Sequence, residues 1–458
     1  MTSRPDAVVV GAGFAGIAAA TALAERGARV LVLETRQRPG GRAVSWNDPR
    51  TGEVRDNGQH VLGSFYEETL RLLERLGTTD ALQADPTFRL RVWERGRGEY
   101  DLHCPHLPAP WHWAAAVAGC SGWSLPARAA ALSLPGRVRS LANARRNGSG
   151  NGREGEPRSP GATQGERLGD LTVQRWLELG RGSGDAVALL WALAMASLNE
   201  IPGDASALLF ARVLDRLFSA PAAKTGLALP RHGLSDLIAG YERFLEERGG
   251  KVRYRETVLG VRVDSGRAIG VSLLGGERVD IGTLLLAVPH ERAGWILRPE
   301  YLGDHAPVVT LPWSPIVSTT HHFDRPVLTS RFVAMLGTRT QWAFDRGPSP
   351  PSGHFAVGTV RSAAFHDVDR PASEITDEAE RDLREAFPAA REGCLLETRV
   401  YKERRATMRA TPLAESLRPP VRTSVEGLYL AGDWTDTGLP PTIEGAVLSG
   451  HRAAELIR

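Results

Sequence analysis

The stretch DAVVVGAGFAGIAAATALAERGARVLVLE, residues 6–34, decides the fold. Ala7–Val10 is a short apolar run suited to a buried parallel strand. Gly11-Ala12-Gly13-Phe14-Ala15-Gly16 is a tight turn, and Ile17–Arg26 is a helix of small residues that Gly27 stops. A second strand, Arg29–Leu33, ends on Glu34. Gly11 permits the turn, Gly13 lets the backbone approach a pyrophosphate, and Gly16 allows close packing of helix on strand. The helix N-terminus, around Phe14 and Ala15, offers free N–H groups and a positive dipole to phosphate. Glu34, about twenty residues on, stands where a carboxylate accepts hydrogen bonds from a ribose. Strand, turn, helix, strand and acid in register predict an α/β dinucleotide-binding unit.

A chain of 458 residues holds more than one core, so two domains or one two-lobed unit is expected. The net charge of +3 is small for this length and no lysine- or arginine-rich block stands out, which argues against nucleic acid as a partner. Cys104, Cys120 and Cys394 are scattered and form no C-x-x-C pair, so neither a zinc site nor a disulfide framework is expected. The sequence enters its first strand within a few residues, with no signal peptide ahead of it. Its longest apolar stretch, Ala186–Leu198, is too short to span a bilayer. The expected location is cytoplasmic, with attachment to the inner face of the cytoplasmic membrane left open.

Beyond Glu34, Gly40-Gly41-Arg42 fits a loop folded over the cofactor, with Arg42 as the cation for phosphate; a plain surface turn is the alternative. Asp56–Gly63 is rich in glycine and polar residues and precedes an amphipathic helix, Glu67–Leu76. If it faces the reactive ring, Gln59 or His60 orients a substrate oxygen. Residues 85–145 change character: strand-like pieces at Leu90–Trp93 and Glu99–Leu102 lead into a segment holding Trp111, Trp113 and Trp123 among prolines and alanines. These tryptophans suit a lipid interface, the mouth of an apolar tunnel or the core of a helical lobe. Arg145–Arg167, low in complexity, is expected to be a flexible insertion.

Helices follow at Thr172–Leu179, Asp185–Leu198 and Ala205–Leu217, the last with Asp204 as its expected cap. Val252–Tyr254, Thr257–Asp264, Ala268–Leu273 and Arg278–Asp280 alternate like strands joined by short turns, whereas apolar Thr283–Val288 suggests a return to the buried parallel sheet. Ile316–Phe323, Phe332–Leu336, Gln341–Phe344 and His354–Thr359 read as antiparallel strands with one wet face, before an amphipathic helix at Glu374–Phe387. His321 and His322 point to opposite faces of a strand, so no metal is expected there. Near the end a strand delivers Gly432-Asp433 and a helix opens at Glu444-Gly445-Ala446. Its N-terminus suits the electron-rich end of a flavin ring, and Asp433 suits a ribityl or phosphate-side hydroxyl.

Taken together, these motifs resemble the FAD-dependent amine oxidase and carotenoid desaturase superfamily, almost end to end. The resemblance implies a Rossmann-like FAD-binding domain interleaved with an α+β substrate domain. The FAD-binding parts are 1–85, 226–295 and 421–458; a helical substrate or membrane-facing lobe spans 86–225, with the insertion at 145–167, and a substrate sheet spans 296–420. It further implies that Gly11, Gly13, Phe14, Ala15, Gly16 and Glu34 hold the ADP half, Gly41 and Arg42 cover the pyrophosphate, and Val258 contacts adenine through its backbone. Gly432, Asp433, Glu444, Gly445 and Ala446 then meet the rest of FAD.

Asp56–Leu70, Ser314–Thr319, Trp342–Arg346 and Leu430–Ala446 are similar to the squalene-associated branch of the superfamily. That branch implies reductive replacement of an allylic hydroxyl, hydroxysqualene to squalene ahead of hopanoid formation, by hydride from reduced FAD. His60, Gln59 and Thr442 are the candidates for contact with the departing oxygen. The implied partners are an apolar polyprenyl substrate and an electron donor for FAD. Two alternatives stand beside it: a carotenoid-type desaturase or amine oxidase, and a non-catalytic prenyl-binding carrier of the same fold, like the Rab escort proteins.

Overall fold

Five short strands from distant parts of the chain form one parallel sheet, in the order Lys251–Tyr254, Val30–Glu34, Ala7–Val10, Thr283–Leu286, Leu428–Leu430. The computed structural model describes residues 4–49, 52–143, 167–180, 184–349 and 352–457, so the predicted insertion lies outside the described residues except for Arg167. Ala7–Val10 is buried along its whole length, as a strand covered on both faces requires. Helix α1 (Phe14–Glu25) follows it. The last helix (Ile443–Leu456) packs on α1 so closely that a Cβ on Gly450 would lie 2.2 Å from the carbonyl oxygen of Ala15. The alanine-rich surface of α1 makes that approach sterically accessible, and the two ends of the chain interlock.

Val252–Tyr254 reads in sequence as the first of four strands joined by short turns. It instead extends the parallel sheet, with Val252 opposite Val32, while Val258–Asp264, Arg267–Leu273 and Arg278–Asp280 form a separate antiparallel sheet. A seven-stranded sheet runs Leu395–Met408, Trp313–Phe323, His354–Arg361, Trp342–Ser349, Phe332–Leu336, Arg89–Glu94, Gly98–His103. The expected wet face is not there. Along Phe332–Leu336, Val333 and Met335 join Leu383 and Ala386 of the helix Ala372–Ala386, whereas Phe332, Ala334 and Leu336 join the helical lobe. The period of two therefore sorts side chains between two covered faces.

That lobe contains α3 (Trp111–Gly119), α4 (Leu125–Ala142), α5 (Val173–Leu179), α6 (Gly184–Leu198) and α7 (Ala207–Ser219), while α2 (Glu67–Leu76) packs against the last helix. Side chains of Ser124, Thr172 and Ser206 accept the capping bonds of α4, α5 and α7. Ser206 thus displaces Asp204, whose carboxylate pairs with Arg409 at 2.7 Å. The tryptophans divide: Trp113 and Trp123 are core residues and Trp111 is 65% exposed. His321 and His322 are buried with different partners, Thr319 and Glu53, and no metal-binding cluster occurs among the described residues. None of the described helices is long and apolar enough to cross a membrane.

Candidate functional site

A single cavity of about 600 Å³ is lined at one end by the turn after the first strand and at the other by the helical lobe and the seven-stranded sheet. At the first end, Gly11 (φ +103°) leaves no room for a side chain, since a Cβ would lie 2.5 Å from the Ala287 carbonyl oxygen. Gly13 and Gly41 face each other Cα to Cα; a Cβ on Gly41 would come within 3.1 Å of Gly13. No side chain caps the first turn of α1, so its N–H groups point into the cleft unsatisfied by the protein. This is a cradle a pyrophosphate fits, and a Cβ would fill it. Glu34 ends its strand buried, its carboxylate fixed by the N–H groups of Ala12 (2.7 Å) and Arg36 (2.8 Å), with lone pairs remaining for a ribose. Val258 lines the same end.

Arg42 reaches across the cleft to Asp433, also donates to the Ala406 carbonyl (3.1 Å), and lies 5.5 Å over the Trp313 ring. Gly432, at φ +142°, donates its N–H to Ser449 in the last helix (2.8 Å). Phe14, Ala15, Gly41, Arg42, Gly432, Asp433 and Ala446 all line the cavity. Gly16 has the packing role expected of it, whereas two predicted contacts, Glu444 and Gly445, have other roles. Gly16 packs under the turn, where a Cβ would lie 1.9 Å from the Gly11 carbonyl oxygen. Glu444 is buried away from the cavity: its carboxylate accepts from the N–H groups of Glu68 (3.2 Å) and Thr69 (2.9 Å), the Thr69 hydroxyl (2.8 Å) and Arg216 (3.0 Å). It caps the N-terminus of α2, where negative charge meets the helix dipole. Gly445 likewise is not on the cavity wall; its N–H donates to Thr442 Oγ1 (3.2 Å).

Gln59, His60, Tyr66, Pro441 and Thr442 also line the cavity. His60 Nδ1 is 3.1 Å from the Gly58 carbonyl, which can only accept, so Nδ1 carries the proton and Nε2 is left as an acceptor. Burial pushes the His60 pKa down, against the opposing pull of the Gly58 bond and of Asp56, so the ring is held neutral. Gln59 lies along Gly358 of the seven-stranded sheet, at ordinary van der Waals distance from where a Cβ would stand. The Thr442 hydroxyl caps the last helix, so its part at the cavity is to hold that helix end. Tyr66 escaped the sequence reading, being one aromatic ahead of an amphipathic helix. Its phenol is pushed up to about 12, first by burial and then by Glu444, against the opposing pull of Arg216 and of a hydrogen bond with Thr442, so it stays protonated at neutral pH.

The far end is walled by Phe65, Phe88, Phe210, Leu214, Phe344 and their apolar neighbours. Every charged side chain on the cavity wall, namely Glu34, Arg36, Arg42, Glu256, Arg292 and Asp433, belongs to the nucleotide end.

A glycine cradle at a parallel sheet, a buried ribose acid and a second helix closing the groove define a flavin-dependent oxidoreductase, and the chain belongs to the flavin containing amine oxidoreductase family, which matches residues 14–458. Its cofactor is FAD. Among curated relatives, it is 30% identical to the hydroxysqualene dehydroxylase of Rhodopseudomonas palustris, over 98% of this chain and 97% of that one. It is 25% identical to the 15-cis-phytoene desaturase of an Oncidium hybrid cultivar, over 99% of this chain and 77% of that one. Among solved structures, putrescine oxidase bound to putrescine shares the fold with a TM-score of 0.71 at 18% identity, covering 99% of both chains.

Proposed function

We propose that this protein converts hydroxysqualene to squalene: the allylic C–O bond breaks, a proton leaves with the oxygen as water, and a C–H bond forms in its place. FAD held by the Gly11–Gly16 turn, Glu34 and Arg42 would, when reduced, supply the hydride and would need an electron donor to restore it. The observation that carries the proposal is the division of the cavity, whose charged side chains all sit at the nucleotide end while the opposite arm is uncharged and rich in phenylalanine and leucine. A polyprenyl chain suits such an arm, whereas an ammonium substrate needs a counter-charge, which this arm does not offer. The kinship with the Rhodopseudomonas palustris enzyme supports the same substrate.

In this reading the chain's residues divide the work. Phe65, Phe88, Phe210 and Leu214 exclude water, which a cationic carbon demands. His60 Nε2 accepts the hydrogen bond of the substrate hydroxyl and fixes its direction, with Gln59 beside it. The protonated Tyr66 phenol donates to the oxygen as it departs, and Thr442 holds the helix end behind it. The test is anaerobic mixing of photoreduced holoenzyme with hydroxysqualene, followed by mass analysis of the product. Squalene formed in step with flavin reoxidation is the expected result; reduced flavin that persists unchanged in the presence of substrate refutes the reading.

A further inference from the structure

We infer that the outer face of α3 and α4 is a docking surface for a bilayer carrying anionic headgroups. Residues 102–143 contain no aspartate or glutamate. Their ionised side chains are Arg128, Arg137 and Arg139. The buried faces of the two helices are locked together and inward: Trp113 of α3 donates to the Ala131 carbonyl of α4 at 2.9 Å and packs on Phe218 of α7 at 4.7 Å. Ala127, Ala131, Leu134, Val138 and Leu141 complete that inner side of α4.

The opposite side is apolar and uncovered by the described residues. Leu107 and Trp111 stand 41% and 65% exposed at the start of α3, and Leu125 and Leu132 of α4 stand 78% and 51% exposed. Leu125, Ala129, Leu132, Gly136 and Arg139 follow one another at helical spacing along one exposed stripe. Pro108, Ala109 and Pro110 add further exposed apolar surface beside Trp111. The segment 144–166 holds no leucine, isoleucine, valine, methionine or aromatic residue.

Charge selects the occupant. Arg139 is exposed and meets no carboxylate among the described residues, and Arg128 spends its donors on the carbonyls of Ala118, Cys120 and Trp123. The acid nearest the start of α4, Asp185, is already paired with Arg97 at 2.8 Å. A second copy of this face would set arginine against arginine. An anionic bilayer offers the complementary charge together with an apolar phase for Trp111 and the leucines. The surface also lies one helix from the uncharged arm of the cavity, since α7 carries Phe218 against Trp113 and Leu214 and Leu217 on the cavity wall. A docking role for this surface does not depend on the identity of the substrate.

The test is flotation of the holoenzyme with vesicles of phosphatidylcholine, with and without phosphatidylglycerol, at low and high salt. Expected are flotation with the mixed vesicles, weakening with salt, and a loss on the order of tenfold or more in the double variant Trp111→Glu, Leu132→Glu. That variant should keep its flavin and melting temperature. The control variant Leu396→Glu, Leu413→Glu, which charges two leucines exposed elsewhere, should float as the wild type does. Failure of the wild type to float, or equal loss in the control, overturns the inference. So does a wild-type dimer that the Trp111→Glu, Leu132→Glu variant turns into a monomer, because a second copy would then be what covers the face.

Discussion

Arg42 and Asp433 form an ion pair across 391 residues of sequence, joining the loop after the second strand to the end of the last one. Both line the cleft at its nucleotide end. Arg42→Ala removes the cation and frees a carboxylate toward the same cleft, and both changes disfavour a pyrophosphate. A charged hydrogen bond is worth about 1.5–3 kcal/mol, so the FAD dissociation constant should rise about ten- to a hundredfold. Equilibrium titration of the apoprotein with FAD measures it; an unchanged constant would detach Arg42 from the phosphates.

Gly13 and Gly16 separate ligand binding from folding. A Cβ on Gly13 meets nothing closer than the Gly41 Cα at 4.0 Å, whereas one on Gly16 would lie 1.9 Å from the Gly11 carbonyl oxygen. Gly13→Ala should leave the melting temperature of the apoprotein nearly unchanged and abolish most flavin binding. Gly16→Ala should lower that temperature itself, at a cost of about 1–3 kcal/mol. Thermal melts of flavin-free protein decide between the two.

His60 and Tyr66 should each be needed for turnover and neither for holding the flavin. His60→Ala removes the acceptor that orients the hydroxyl, and Tyr66→Phe removes only a donor to the departing oxygen. Each should cut turnover by about 10²–10⁴-fold while the flavin spectrum of the holoenzyme is retained. Turnover by His60→Ala equal to wild type removes His60 from the mechanism, and the same outcome for Tyr66→Phe removes the phenol.

Glu444 is predicted to matter for stability and not for the flavin. Glu444→Gln keeps the size but weakens the cap on α2 and leaves Arg216 without its counter-charge; Arg216 is 34% exposed, so solvent tempers the loss. A cost of about 1–3 kcal/mol is expected, read by chemical denaturation, with FAD affinity unchanged. A large fall in FAD affinity at unchanged stability would return Glu444 to the cofactor site.

His321 should make stability fall in mild acid. Burial, reinforced by His322 and Arg361, pushes its pKa from 6.5 down to about 3, so the unfolded chain binds a proton the folded one refuses. Its contribution is fully present above pH 6.5 and is lost as pH falls toward 3. The slope from this one group approaches about 1.4 kcal/mol per pH unit. Comparing the unfolding free energy of His321→Gln with wild type between pH 6.5 and 5 should show a flatter dependence in the variant; parallel curves would place the effect elsewhere.

The nucleotide end was legible because its chemistry is local: glycine spacing, a small-residue helix and an acid at a strand end follow from backbone sterics within residues 6–34. Thr283–Leu286, too, declared itself by the apolar run Leu284-Leu285-Leu286, which is buried as in a strand covered on both faces. Periodicity cannot say what covers a face. Phe332–Leu336 read as half-wet and is buried on both sides, because the helical lobe and the helix Ala372–Ala386 arrive from distant sequence.

The same limit applies to single polar residues. Glu444 looked like a cofactor contact until its carboxylate was found on α2, and Tyr66 gained interest only beside Thr442 and Glu444. Sequence by itself determined a dinucleotide fold with its phosphate cradle, since those depend on spacings of a few residues. Tertiary structure decided which acids bind ligand and which bind helices, and where an uncharged arm meets the cofactor groove. Those outcomes depend on burial and on contacts between segments hundreds of residues apart.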